Sequence, residues 1–210
     1  MRVSKDPEIR KQEILDVAMR VFAEKGYEST TMKDIAKEAG VVAGLCYHYF
    51  QNKHALYQEA LTQYARACSK PFADVFKQTG LPLAECIKIL EKTSENEAEN
   101  YKYRDFFDKD GNELFHAQLE VYMSKEIFPH LEAYIKSLMA RGEIEKQDAH
   151  MLSRFIWGGQ MAVTNNAAGS VREKNLFIRQ MLTLILKCPP NHTPAFTGGL
   201  KNSHLLNICQ

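Results

Sequence analysis

Three things are scarce in these 210 residues: paired cysteines, long apolar runs and net charge. The five cysteines (Cys46, Cys68, Cys86, Cys188 and Cys209) are scattered and odd in number, with no C-x-x-C pair. That argues against a zinc ribbon or a disulfide framework and fits reduced thiols in a cytosolic protein. No apolar stretch approaches the roughly 20 residues that a bilayer span needs, and the charged start Met-Arg-Val-Ser-Lys-Asp-Pro has no apolar run behind it. A soluble, cytoplasmic chain with no membrane partner is expected. Lys and Arg number 27 against 26 Asp and Glu, a net charge of +1, so any contact with nucleic acid must come from local placement of charge.

Catalytic signatures are also missing. There is no Gly-rich phosphate loop, no Gly-x-Ser-x-Gly elbow and no His-Glu-x-x-His, and the seven histidines are dispersed. No catalytic residue, no cofactor and no enzyme activity are expected. Asp108-Lys-Asp-Gly-Asn-Glu113 invites a calcium-loop reading, but with Gly111 at the sixth position the ends fall on Phe106 and Ala117, so the terminal acids are lacking. Cys46 and His48, two apart on a helix, diverge, because helical neighbours are three or four apart; no metal site is expected there with His54.

What is present is helical periodicity, with no strand-like alternation of any length, so the fold class is all-α. Ile14, Ala18, Val21 and Phe22 share one face of a helix expected from Pro7 to Gly26. Met32, Ile35, Ala36 and Ala39 repeat the spacing before Gly40, with Thr30 or Thr31 as N-cap. A short third helix runs from Ala43 to Phe50. Beyond Asn52 a helix bent at Pro71 reaches Gly80, a short one covers Pro82 to Leu90, and the polar run 94–100 reads as a loop or turn. Glu113 to Arg141, kinked or broken at Pro129, Asp148 to Ala168 and Val171 to Lys187 complete the set. The organisation is therefore a 1–52 head, a 53–188 body and a 189–210 tail, the last either irregular or packed on the body.

Three helices in fifty residues, two joined by the turn Gly40-Val41-Val42, suit a helix-turn-helix or an ordinary helical hairpin. The apolar stripes leave Thr31, Lys33, Ala43, Tyr47, His48 and Lys53 outward, and hydroxyl, imidazole and ammonium groups suit phosphate oxygens. The stretches Phe22-Ala-Glu-Lys-Gly-Tyr27, Thr30-Thr-Met-Lys-Asp-Ile-Ala-Lys-Glu-Ala-Gly-Val41 and Tyr47-His-Tyr-Phe-Gln-Asn-Lys-His-Ala-Leu56 closely resemble the head of the tetracycline-repressor (TetR) family. The resemblance covers about residues 9–57; beyond it only the helical layout agrees. It implies a homodimer that sets a recognition helix from each subunit into successive major grooves of double-stranded DNA, on a palindromic operator. Carried over by position, it implies that Thr31, Lys33, Tyr47 and Lys53 hold phosphates, while Ala43, Gly44, Leu45 and His48 face bases or flanking backbone.

The chain departs from the family where it would read bases. The usual Val-Ser-Lys/Arg-Gly-Thr/Ser-Leu-Tyr is replaced by Val41-Val42-Ala43-Gly44-Leu45-Cys46-Tyr47. Val42 forfeits an N-cap hydroxyl, Ala43 a cation and Leu45 a hydroxyl, while Cys46 fits a small buried site. With no Arg, Asn or Gln for bidentate readout, thymine methyl groups are the expected contacts of Val42, Ala43 or Leu45. Affinity should be weaker or rest more on phosphates and DNA shape. Arg2, Lys5 and Arg10 form either a backbone-tracking arm or a solvated terminus.

In the body, Phe155, Gly158, Gly159 and Ala162, then Ile178, Met181, Leu182 and Ile185, give two helices apolar faces that suit a copy of themselves or intrachain packing. The resemblance favours a four-helix dimer interface. Phe72, Phe76, Tyr101, Tyr103, Phe106, Phe107, Phe115, Tyr122, Trp157 and Met161 form core or the lining of a cavity, with Asn165 among its polar members. A hydrophobic or aromatic small-molecule effector follows from such a lining. The function expected is a ligand-responsive repressor released from its operator by that effector. The alternative is an interaction or architectural protein of the same fold that binds DNA weakly or without sequence preference.

Overall fold

The computed structural model describes residues 6–100, 113–165 and 168–186. Among the described residues there are eight helices and no strand: α1 (Pro7–Lys25), α2 (Met32–Glu38), α3 (Ala43–Tyr49), α4 (Lys53–Phe76), α5 (Leu83–Asn100), α6 (Glu113–Ala140), α7 (Ala149–Thr164) and α8 (Val171–Ile185). Each of α1, α2, α4, α7 and α8 is started by a side chain that accepts a hydrogen bond from its first turn: Asp6, Thr31, Asn52, Asp148 and Ser170.

In the head, Ile14, Ala18, Val21 and Phe22 of α1 are all buried, as their spacing predicts, against Ile35 of α2 and Cys46 of α3. Thr31, not Thr30, caps α2; the buried Thr30 hydroxyl instead donates to the Gly26 carbonyl at 2.7 Å. Between α2 and α3 the chain turns through Gly40 at φ +65. There the Val41 N–H reaches back to the Ala36 carbonyl (2.9 Å) and the Gly40 N–H to that of Lys37 (3.2 Å). This pair of bonds closes a helix with a left-handed residue, which glycine enters without strain.

α4 packs on α1 at its start and lies along α6 over much of its length; α6 also packs on α7, and α8 lies on α5 and α7. Neither interior proline ends a helix, so the break allowed at Pro129 does not occur. The polar run 94–100 is helical, as the last two turns of α5. Its Glu and Ala residues favour helix even though the run has no apolar stripe. α7 stops at Thr164, short of Ala168.

The connection between α4 and α5 is held from α6 and the loop after it. Arg141 donates to the Thr79 carbonyl and, at 2.9 Å, to that of Leu81, which also accepts from the Tyr134 hydroxyl at 3.0 Å. Glu143, paired with Arg141 at 2.7 Å, accepts the Leu83 N–H at 2.8 Å and so serves the first turn of α5. Burial pushes the Cys86 thiol beside this cluster up to about 11. Across the body, the Arg179 guanidinium of α8 grips both oxygens of Glu91 on α5, one of them at 2.7 Å.

Candidate nucleic-acid interface

The outer surface of α2 and α3 follows from what their inner surfaces bury. α3 has seven residues, and only Cys46 is fully enclosed, its thiol raised by burial. Gly44, Tyr47 and His48 are therefore exposed, and the His48 ring lies 5.2 Å from that of Tyr49. Ala43 and Leu45 are half-buried, Ala43 against the core. Val42, at φ −78 and ψ 144, begins α3 without any side-chain cap and is 72% exposed.

At the start of α2, Thr31 and Asp34 form a reciprocal cap. The Thr31 Oγ1 accepts from the Asp34 N–H at 3.2 Å, while Asp34 Oδ2 accepts from the Thr31 N–H (2.9 Å) and hydroxyl (2.6 Å). These bonds, with Lys25 and Lys37 nearby, hold the Asp34 carboxyl below its usual range. The Thr31 hydroxyl proton is thus already engaged within the chain. Lys33 and Lys37 are both exposed. Lys37 was not singled out from sequence, although it sits four residues beyond Lys33 and shares its face.

Lys53, which the resemblance assigns to a phosphate, already has partners within the chain. Its Nζ donates to the Tyr27 carbonyl at 2.9 Å, reaches that of Glu28 at 3.5 Å and sits 4.2 Å from the centre of the Tyr27 ring. The ammonium is held by the α1–α2 connection, between its carbonyls and the Tyr27 ring.

The body residues divide. Phe76 and Trp157 are buried, Phe76 with its ring 5.9 Å from that of Tyr134 and Trp157 donating Nε1–H to Ser124 Oγ at 3.0 Å. Phe72, Tyr122 and Met161 are half-buried. Asn165 does not line a cavity: it is exposed and caps the end of α7. Tyr101, Tyr103, Phe106 and Phe107 lie outside the described residues, as do Arg2, Lys5 and the 189–210 tail. Phe155 is 66% exposed, with Gly159 and Ala162 exposed beside it; Ile178, Met181 and Ile185 are half-buried. Leu182, by contrast, is buried in the chain's own core because α8 turns that face to α5 and α7. Met151 (64%) and Leu184 (63%) are further exposed apolar residues of these helices and were missed, although Met151 stands one turn before Phe155. Among the described residues no helix is long and apolar enough to cross a membrane, and no three His, Cys, Asp or Glu side chains cluster to hold a metal.

Residues 14–60 match the family model described as bacterial regulatory proteins, tetR family. The chain is similar to the HTH-type transcriptional repressor KstR2 of Mycobacterium tuberculosis, 34% identical over 82 residues, which is 39% of this chain and 41% of that protein. The match thus spans about two-fifths of that relative's length. The HTH-type transcriptional regulator BetI of Vibrio campbellii is 28% identical over 194 residues, 86% of this chain and 96% of that protein. Among solved structures, Salmonella enterica GusR superposes with a TM-score of 0.66 at 26% identity, covering 88% of this chain and 98% of that one.

Proposed function

We propose that this chain, which belongs to the tetR family of bacterial regulatory proteins, is a transcriptional repressor that binds a palindromic operator as a homodimer and leaves it when a small hydrophobic effector binds the body. The observation that carries the reading is the head itself. Its short α3 keeps one small residue inward and turns Val42, Gly44, Tyr47 and His48 to solvent, beside the exposed Lys33 and Lys37 of α2. An exposed short helix after a tight turn is the geometry that enters a major groove, and two copies related by a two-fold axis dictate a palindrome. In this reading Lys33, Lys37 and Tyr47 contact phosphates, and Val42, Ala43, Gly44 and His48 lie against base edges. The second copy, in this reading, docks on Met151, Phe155, Gly159, Ala162 and Leu184, the exposed apolar and small residues of α7 and α8. The effector is placed near Phe72, Tyr122, Trp157 and Met161, between α4, α6 and α7. Its occupancy shifts a population between two separations of the heads.

Selection from a random double-stranded DNA library tests the reading. Enrichment of an inverted repeat, lost with Tyr47→Ala and Lys33→Ala while both variants melt like the parent, is the expected result. A featureless pool favours the architectural alternative and sinks the repressor. Sedimentation of Phe155→Glu as a monomer, against a dimeric parent, is the matching expectation for α7. Quenching of Trp157, the one tryptophan of the chain, by a compound that also releases the operator locates the effector.

A further inference from the structure

We infer that the head selects its operator by the C5 methyl group of a pyrimidine, and that Val42 is the side chain that reads it. The inference rests on the DNA-binding reading above and deepens it. That methyl is the apolar feature a base edge offers in the major groove; thymine carries it, and 5-methylcytosine carries the same group at the same ring position.

Three observations point there. First, from Val41 to Phe50 there is no Arg, Lys, Asn, Gln, Asp or Glu, so the bidentate patterns that distinguish guanine and adenine have no donor set on α3. Tyr47 and His48 supply its exposed polar tips, with the Tyr49 hydroxyl on a half-buried side chain. Second, of the apolar residues at the start of α3, the structure turns Ala43 and Leu45 partly inward and leaves Val42 outside. Its isopropyl group is 72% exposed and belongs neither to the core nor to the side chains packed on it. Third, Val42 occupies a position with extended N-cap geometry and gives no cap, whereas α1, α2, α4, α7 and α8 each receive one from an Asp, Thr, Asn or Ser. A branched hydrocarbon that serves neither the helix nor the core is free to serve a partner, and only an apolar group rewards its desolvation.

Burial of one methyl against Val42 corresponds to about a fourfold change in affinity per half-site, and about fifteenfold for a symmetric pair. The test starts from the operator selected with the full-length chain. Thymines are replaced one symmetric pair at a time by deoxyuridine, which removes the methyl and nothing else, and binding is followed by fluorescence anisotropy. One pair is expected to weaken binding about tenfold or more, and Val42→Ala is expected to bind the thymine operator about as weakly as the parent binds the uracil one, with no further loss on uracil. A second arm repeats the selection on a library methylated at cytosine C5. Enrichment from the unmethylated pool assigns the methyl to thymine; enrichment only after methylation assigns it to 5-methylcytosine. An enriched palindrome that tolerates removal of every C5 methyl within about twofold overturns this inference alone. So does a Val42→Ala variant that keeps the full uracil penalty. No enriched sequence from either the unmethylated or the methylated library overturns the DNA-binding reading and this one with it.

Discussion

Replacing Val42 by threonine should stabilise the chain, and the amount can be worked from the geometry. Val42 already has the extended backbone of an N-cap, at φ −78 and ψ 144, and its carbonyl accepts the Leu45 N–H at 2.9 Å, but its side chain offers no acceptor to the first N–H groups of α3. Threonine is nearly isosteric, keeps one of the two methyls and places Oγ1 within reach of the Gly44 or Leu45 N–H. Filling a vacant cap with a hydroxyl contributes about 1 kcal/mol. Little opposes it, since the side chain is mostly exposed and exchanging one methyl costs about a quarter of the roughly 0.8 kcal/mol of a fully buried one. The net gain of about 0.8 kcal/mol corresponds to a rise of about 2–3 °C in melting temperature for a chain of this size. Thermal melts by circular dichroism at fixed protein concentration measure it, with Val42→Ala as control, because alanine caps as poorly as valine. If threonine and alanine variants melt together, the account of α3 as an uncapped helix is wrong. Read together with the methyl experiment, the same variant should gain stability and lose part of its discrimination between thymine and uracil.

Other consequences follow from single contacts. The Asp34 carboxyl is held below its ordinary 3.8 by the Thr31 hydroxyl and N–H, so its contribution is complete above that value and is lost as pH falls through the lowered one. The gap between parent and Thr31→Ala melting temperatures should therefore narrow as pH falls below 3.8, leaving the share due to the Asp34 N–H bond; a constant gap refutes the bond from Thr31 to the ionised Asp34. Ser69 is buried in α4 with its hydroxyl unpartnered among the described residues, so Ser69→Ala should be neutral or raise stability by up to about 1 kcal/mol in urea melts, and a clear loss would reveal a hidden partner. Lys53→Met removes the ammonium from the Tyr27 and Glu28 carbonyls and should cost about 1.5–3 kcal/mol while leaving the salt dependence of operator binding unchanged. A drop of about 0.9 in the log–log salt slope would instead assign Lys53 to a phosphate.

Much of the head was legible because short-range rules determine it. The spacing of Ile14, Ala18, Val21 and Phe22 places a stripe, Gly40 requires a left-handed turn, and Cys46 is small where α3 meets the core. The body yields less to such rules. The 94–100 stretch looks like a loop because it carries no apolar periodicity, yet it continues α5 as helix. Service of the Leu83 N–H by Glu143, 60 residues away, has no local signature. Lys53 matches a phosphate-binding position by register, yet its environment is set by the carbonyls of Tyr27 and Glu28, 26 and 25 residues before it. Likewise the apolar stripe of α8 fits intrachain and intermolecular packing equally well, and only the placement of α5 and α7 shows that Leu182 faces inward.

α4 is fastened at both ends to different things. Its first residue, Lys53, holds the α1–α2 connection, and Glu59 one turn and a half later pairs with Lys11 of α1 at 2.6 Å. Just past its last residue, Arg141 seizes the carbonyls of Thr79 and Leu81. The 24 residues between make a rod about 36 Å long. Pivoted at the Arg141 end, a tilt of about 5° sweeps the other end through about 3 Å, close to the 3.4 Å rise of one base pair. In the repressor reading, a rod of that length would turn a small tilt in the body into a slip of nearly one rung along the DNA ladder.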